Sequence, residues 1–215
     1  LMGRKYVYDI TISPSEIKIA PSTVDWDSVP VEVSQDAAYM TAAALAGALS
    51  ADHHVILCET PPSGKYPDHV KLNALSIGKR LICRISSLDS AVQSYCIGHG
   101  YETFHVNQGY TKCSCAVVSD QAVITADNGI YNSLKEINVD VLKIEQGRVK
   151  LEGVDYGFIG GASGYDKVTR TLFFCGDITK HPDHERIKEF CGRYHTNVVS
   201  LSDDVLVDIG GIIFC

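Results

Sequence analysis

Short apolar runs alternate with polar turns and longer amphipathic stretches along most of this chain. Three successive segments share one order, which is an apolar strand, then a helical stretch, then a second apolar strand. The copies are Ile77–Cys83, Asp89–Gly98 and Tyr101–Val106; Ser119–Thr125, Ile130–Ile137 and Val139–Ile144; and Val168–Phe174, Pro182–Tyr194 and Asn197–Leu201. A further strand precedes each hairpin turn, as at Cys113–Val118. The pattern predicts a repeated ββαβ unit in an α/β protein.

The regions outside these copies predict two more units. An alanine-rich helix at Asp36–Leu49 and a strand at Val55–Cys58 form a weaker copy. A hairpin-like start at Tyr6–Ile12 and a strand or hairpin at Val205–Cys215 complete a fifth unit together. We therefore expect one domain over residues 1–215, with units at about 1–58, 59–107, 108–145, 146–202 and 203–215. Such a ring of five leaves no sheet edge unpaired.

Composition narrows the class of protein. Hydrophobic residues make up 45% and charged residues 21% of the 215 residues, which is typical of a globular chain. The net charge of -7 and the absence of a basic stripe argue against nucleic acid or anionic lipid as a partner. Ala42–Leu49 is too short to span a membrane, and the start has no apolar signal region. We expect a cytoplasmic protein, and the oligomeric state is left open.

Eight cysteines are a high count, but a chain of this length does not need a disulfide scaffold. Cys58, Cys83 and Cys175 each end an apolar run. Free cysteine behaves as a small buried hydrophobe, so we interpret these three as core thiols. Cys113 and Cys115 are two apart on the predicted strand and would share one face.

Several stretches resemble the pentein fold, also called the guanidino-group-modifying enzyme fold, a five-bladed α/β propeller of ββαβ units. The chain is most similar to an uncharacterised bacterial family of that fold, from about Cys58 onward. The stretches that carry the resemblance are Pro61–Pro62, Tyr66–Asp68, Asn107–Ser114, Leu151–Gly164, Gly176–Asp177, His181–Asp183, Leu201–Asp203 and Asp208–Gly211. The resemblance implies a pentein-type propeller with pseudo-fivefold closure.

Arginine-modifying penteins use a cysteine nucleophile, a histidine and carboxylates that hold the guanidinium group. Glu152–Asp155 resembles the Glu-Gly-Gly-Asp element that these enzymes place at the channel. The stretch Leu201–Asp204 lacks the histidine that they carry there, and Cys215 is the only late cysteine. The resemblance therefore implies the fold without the standard catalytic triad.

The segments that follow each unit's last strand should converge on a central channel. They carry the predicted ligand-binding residues, which are Asp68, Asn107, Glu152, Asp155, Asp203 and Asp208. An acidic channel suits a small cationic ligand of guanidino type. Most of these carboxylates could instead be solvated loop charges or turn formers.

The catalytic alternative uses Cys113 as nucleophile, with His69 or His181 as acid and base. Lys112 would lower the pKa of the Cys113 thiol. His181 and His184 could share a helix face and bind a metal, but capping of the helix start is the favoured interpretation. The glycine-rich stretch Gly157–Gly164 has no helix directly after it, so its glycines predict close backbone packing and not a phosphate loop.

Two functions follow from these patterns. The favoured one is an uncharacterised pentein-fold protein that binds a small cationic ligand or a partner at the acidic channel. The alternative is a guanidino-group-modifying hydrolase or amidinotransferase that acts on an arginine derivative. No cofactor and no metal is expected.

Overall fold

The computed structural model describes the backbone of residues 8–13 and 16–21, together with residues 66–212 and residue 214. The chain divides into two compact units, residues 1–57 and residues 58–215. In the first, β1 (Tyr8–Ser13) and β2 (Glu16–Pro21) form an antiparallel hairpin, which agrees with the predicted start. The predicted helix at Asp36–Leu49 and strand at Val55–Cys58 lie outside the described residues.

The second unit contains one small sheet three times over. Each sheet has an antiparallel pair of strands, and a third strand follows a helix and runs parallel to the second. The elements are β3 (Leu75–Ile77), β4 (Arg80–Cys83), α1 (Ser90–Gly98) and β5 (Glu102–His105); β6 (Cys115–Ser119), β7 (Ala122–Thr125), α2 (Asn128–Glu136) and β8 (Asp140–Lys143); and β9 (Ser163–Asp166), β10 (Thr171–Phe174), α3 (His184–Arg193) and β11 (Asn197–Ser200). The three predicted segments thus form three small three-stranded sheets of a mixed α/β protein, each with the same strand order.

The middle strand of each sheet is the most buried, because it has a neighbour on both sides. All four residues of β7 are buried, and β4 is buried from Leu81 onward. One apolar cluster centres on the third sheet with Leu172 and Phe174, and another joins the first two sheets through Ile82 and Val123. This burial explains why the sequences of the central strands are continuous hydrophobic runs.

Side-chain caps fix where two of the helices begin. The Asp89 carboxylate accepts a hydrogen bond from Ala91 N, and the Asp127 carboxylate accepts one from Ile130 N. Asn138 follows α2 in a left-handed conformation, with φ at 56°, which asparagine adopts more readily than most residues. The third helix begins at His184, so the start predicted at Pro182 is two residues early. A separate 3₁₀ turn at Ile178–Lys180, capped by Asp177, precedes this helix.

Two strand predictions are wrong. Cys113 precedes β6, which begins at Cys115, so the two cysteines do not share a strand face. Within the described part of residues 205–215, only an isolated bridge between Lys150 and Val207 is present. Backbone groups in this segment bond to loop residues and not to a neighbouring strand. For example, Val207 N donates to Cys175 O. The single domain and the closing fifth unit stay predictions.

Of the three thiols predicted to lie in the core, one is found buried. Cys83 is buried, whereas Cys175 is half-buried and Cys58 lies outside the described residues. Within the described ranges, no helix is long and apolar enough to cross a membrane.

Candidate functional site

The side chain of Asn73 fixes the backbone around Cys113. Asn73 Oδ1 accepts hydrogen bonds from Lys112 N at 2.8 Å and Cys113 N at 3.2 Å, and Asn73 Nδ2 donates to Cys113 Sγ at 3.0 Å. These two N–H groups are therefore unable to join a strand ladder, which explains why β6 begins only at Cys115. The thiol is held in place by an amide from the loop that precedes β3.

Lys112 lowers the pKa of the Cys113 thiol, as predicted, but it does not decide the net shift. Burial raises the pKa of the Cys113 thiol, and this effect outweighs the lowering by the Asn73 hydrogen bond and the Lys112 ammonium. The Asp208 carboxylate raises the pKa further. Lys112 Nζ donates to the Gly160 carbonyl at 3.1 Å. Cys113 is therefore a protonated thiol near neutral pH.

Asp208 organises a closely packed centre beside this thiol. It is 9% exposed, and its two carboxylate oxygens accept hydrogen bonds from Phe158 N at 2.8 Å and Gly210 N at 2.9 Å. A methyl group at Gly161 would overlap both oxygens, and one at Gly160 would overlap the Cys115 and Lys112 carbonyls. The glycines of Gly157–Gly164 thus serve close packing, as predicted, and the last of them, Gly164, lies in strand β9.

Three inter-unit loops meet beside this centre. Lys150 N donates to Leu206 O, Asp208 N donates to Lys150 O, and Ile209 N donates to Gly161 O. Gly161 N donates to Cys113 O. Loops after β5, β8 and β11 therefore meet through backbone hydrogen bonds.

His69 belongs to an aromatic cluster next to this centre. Its Nε2 is hydrogen-bonded to Tyr110 Oη, and its ring lies edge-on to Tyr66, with centroids 5.6 Å apart. Tyr66 Oη in turn accepts a hydrogen bond from Arg84. Tyr110 stacks on Phe158, with centroids 5.6 Å apart. Across residues 66–212, neither His69 nor any other histidine is hydrogen-bonded to Cys113.

A cavity of about 180 Å³ has Ser114, the residue after Cys113, in its lining. Its walls come from the end of β7 and the loop after β8, with two carboxylates, one guanidinium and two aromatic rings. The residues that matter for its chemistry are Ser114, Asp127, Glu145, Arg148, Tyr156, Phe158 and His181. Cys113 is not among the lining residues.

Arg148 and Glu145 form an ion pair in the lining of this cavity. Arg148 Nε and Nη2 both donate to Glu145 Oε1, at 3.0 Å and 2.5 Å, and both side chains are half exposed. The Asp127 carboxylate caps α2 and also accepts a hydrogen bond from Gln108 Nε2 at 3.1 Å. The lining therefore holds two carboxylates and one guanidinium, which gives it a net negative charge.

His181 lines the cavity and is buried. Asp183 N donates to His181 Nδ1 at 3.0 Å, and the Asp183 carboxylate lies 4.0 Å from the same nitrogen. Desolvation lowers the pKa of His181, although Asp183 and the Glu145 backbone act in the opposite direction. The ring is thus neutral near pH 7, and it lies in a different site from Cys113.

The other predicted ligand residues lie apart from this cavity. Asp68 forms an ion pair with Lys71 at 2.6 Å. Asn107 is exposed and accepts a hydrogen bond from His105 Nε2 at 3.3 Å. The remaining three carboxylates are on exposed loop positions, at Glu152, Asp155 and Asp203. Their ligand-binding roles stay predictions.

Sequence reasoning missed Asn73, Ser114, Asp127 and Tyr156. Asp127 carried a signal, since an aspartate three residues before an apolar helical position is typical of a helix cap. Ser114 carried none, because a serine between two cysteines is unremarkable in composition. In the part of the chain that the structure describes, no group of three potential metal ligands is present.

Fold and site together define a mixed α/β protein of repeated ββαβ units with a small polar cavity among its inter-unit loops. The model described as "Family of unknown function (DUF6873)" matches residues 37–213, and the chain belongs to this family. No curated protein matches the chain.

Among solved structures, the chain is similar to the N-terminal domain of ArgZ, in a crystal structure with a covalently bound reaction intermediate. The identity is 10% and the TM-score 0.41, over 66% of this chain and 56% of the other. The chain thus spans just over half the length of that solved chain.

Proposed function

We propose that this protein binds a small organic cation, of guanidino or ammonium type, in the cavity between Asp127 and Glu145. The observation that carries the proposal is the lining, which combines two carboxylates with the rings of Tyr156 and Phe158. Carboxylates neutralise a cation, and aromatic faces attract one through the ring quadrupole. A volume near 180 Å³ restricts the ligand to a small molecule.

The electrostatic balance of the lining favours a cation. Arg148 is engaged by Glu145, which shows that this carboxylate already accepts a guanidinium in a two-bond arrangement. His181 adds no positive charge near neutral pH, because burial lowers its pKa. A ligand guanidinium can share Glu145 with Arg148 or replace it.

We propose binding without thiol chemistry. A guanidino-modifying hydrolase or amidinotransferase needs a thiolate and an imidazole at one substrate atom. Burial raises the pKa of Cys113, and His69 is bonded to Tyr110. His181 lines a cavity that Cys113 does not line. These observations favour a binding protein over the enzyme.

We further propose that the three repeated units belong to a pentein-type ring of five, located in the cytoplasm. The recurrence of one strand order in three successive sheets supports the ring. The six described cysteines carry free thiols, as expected in a reducing compartment.

Calorimetric titration with ethylguanidinium and ethylammonium tests the binding proposal. We expect saturable binding, weakened about fivefold to tenfold in Glu145→Gln, because a carboxylate contact to a cation is lost. Glu185→Gln is the matched control, since Glu185 is an exposed carboxylate that forms an ion pair with His184 away from the cavity. Equal affinities in the two variants, or no binding by the wild type, would contradict the proposal.

A further inference from the structure

The outer wall of the cavity consists of residues that line it and are also exposed to solvent. Gln146–Arg148, called the tip below, follows β8, and Tyr156 lies in the loop that precedes β9. The tip and Tyr156 all line the cavity and are all exposed. A residue that contacts both cavity and solvent separates the two, so these residues lie between a molecule in solution and the carboxylates inside.

The chain is fixed on both sides of the tip. Before it, Glu145 N donates to the Asp183 carboxylate at 2.7 Å. After it, Val149 is 6% exposed, and its carbonyl accepts a hydrogen bond from Gly157 N at 2.8 Å. The tip can therefore move without displacing the core on which its two ends pack.

The tip itself is weakly held. Across the described residues, no backbone hydrogen bond joins it to another backbone group. Gly147 has a φ of 83°, and a methyl group there would meet no atom within 4 Å. The Arg148 guanidinium donates to Glu145, and Gln146 Nε2 donates to Tyr156 Oη. High exposure and few backbone hydrogen bonds are typical of segments that open locally at a low cost in free energy.

The hydrogen bond between Gln146 and Tyr156 joins the tip to the facing loop. It lies one step outward from the backbone hydrogen bond between Gly157 and Val149, which closes the base of the same loop. Both side chains are exposed, so water can take the place of either partner when the bond breaks. The wall of the cavity can therefore open at this contact.

We propose that Gln146 and Tyr156 form a gate, and that a small molecule enters the cavity when their hydrogen bond breaks and the tip moves outward. The inference rests on the proposed function for the chemistry of the entering molecule, which is an organic cation. Arg148 belongs to the tip, so opening also moves its guanidinium away from Glu145. That carboxylate is then available to an incoming cation.

Alkylation of a thiol placed on the lining measures the gate without a bound ligand. Ala126→Cys puts the thiol on the cavity wall, and iodoacetamide is small enough for a cavity of about 180 Å³. Adding Tyr156→Phe removes the acceptor hydroxyl and keeps the ring. We expect alkylation to become about twofold to tenfold faster, because the lost hydrogen bond no longer stabilises the closed gate. Peptide mass spectrometry distinguishes the introduced thiol from the native cysteines.

Tyr131→Phe, also added to Ala126→Cys, is the matched control. The Tyr131 hydroxyl accepts a hydrogen bond from Lys135 Nζ at 3.5 Å on α2, and Tyr131 does not line the cavity. Its removal should leave the alkylation rate unchanged.

Gln146→Met removes the donor from the other side of the gate and keeps the length of the side chain. It should accelerate alkylation as much as Tyr156→Phe does. The two substitutions together should add nothing further, because they break one hydrogen bond. Unfolding curves for each variant check that the fold is intact.

The outcomes separate the gate from the proposed function. Equal rates with and without Tyr156→Phe, including no alkylation in either, would overturn the gate, and so would an equal acceleration by Tyr131→Phe. Ethylguanidinium is then added to Ala126→Cys, and it should slow alkylation because it occupies the cavity. If the gate variants accelerate alkylation but ethylguanidinium gives no protection, the gate stands and the proposed function fails.

Discussion

Cys113 and Ser114 are neighbours in the chain and belong to opposite kinds of environment. Around Cys113, Asn73 and Asp208 satisfy the backbone donors, and the glycines leave no room for a side chain. Around Ser114, a cavity is open and two buried polar atoms lack a partner. Close packing with complete hydrogen bonding stabilises a fold, whereas unpaired polar groups beside a cavity are typical of a binding site.

The difference bears on the residue that the catalytic alternative names as its nucleophile. Cys113 had the features of a nucleophile in the sequence, with a lysine beside it. The structure places it in the closed centre, where burial raises the pKa of its thiol. Among the titratable residues that line the open region next to it, His181 was named from the sequence.

The largest expected effect is on the closed centre. Gly161→Ala places a methyl group on the Asp208 carboxylate and should lower the free energy of unfolding by about 3 kcal/mol or prevent folding. Gly192→Ala is the control, because Gly192 is exposed on α3 with open space around it. It should raise stability by about 0.5–1 kcal/mol. Urea unfolding of both variants measures the contrast, and equal effects would refute the close packing.

Asp208→Asn tests the hydrogen bonding of the same centre. Asparagine has one acceptor oxygen, so either Phe158 N or Gly210 N would face an NH₂ group. We expect a loss of about 2 kcal/mol in the free energy of unfolding. The exposed Asp203→Asn should change it by less than about 0.5 kcal/mol. A comparably small change for Asp208→Asn in thermal unfolding would argue against its role.

Thr125→Val and Ser114→Ala compare the removal of a hydrogen-bonded hydroxyl with the removal of one that has no partner. The Thr125 hydroxyl donates to Ser114 O and accepts from Asp127 N, so its loss should cost about 2 kcal/mol. The Ser114 hydroxyl has no partner, so its removal should cost nothing. Denaturant unfolding of the two variants measures both losses in the free energy of unfolding. A large loss in Ser114→Ala would mean that the hydroxyl is paired within the protein.

The smallest effect concerns pH. Burial raises the pKa of Cys191 from 9.0 to about 12, so this thiol stays protonated in the folded state while it ionises in the unfolded chain. Its contribution to stability is complete below pH 9 and is lost as the pH rises toward 12. We expect a loss of about 1 kcal/mol between pH 9 and pH 10.

Urea unfolding at several pH values measures this loss. Cys191→Ala should have a shallower dependence than the wild type above pH 9. Cys113→Ala is the comparison and should make the dependence shallower by less, because that thiol is only half-buried. Identical slopes for the wild type and Cys191→Ala would contradict the burial of Cys191.

The repeat could be predicted because local patterns determine it. Apolar runs such as Leu81–Cys83 and Val123–Thr125 are continuous where a strand is buried on both faces, and Asp89 and Asp127 cap the helices they precede. Asn138 and the glycines of Gly157–Gly164 also had local signatures.

The site could be predicted only in part, because it depends on contacts between distant segments. Asn73 and Cys113 are 40 residues apart, and Phe158 and Asp208 are 50 apart. No local pattern reports that Asn73 keeps Cys113 out of β6, or that desolvation outweighs Lys112 in setting the thiol's pKa. The convergence of the inter-unit loops was predicted from the repeat, but which side chains face the cavity was not.

The most direct test of cation binding in the cavity is a two-dimensional amide NMR titration of the full chain with ethylguanidinium. If the cation binds in the cavity, the largest shift changes should occur at residues 126–127, 144–149 and 156–159. Changes at Asn73 and Cys113 should be small. Largest changes at Asn73, Lys112 and Cys113 would contradict it and return the ligand to the thiol.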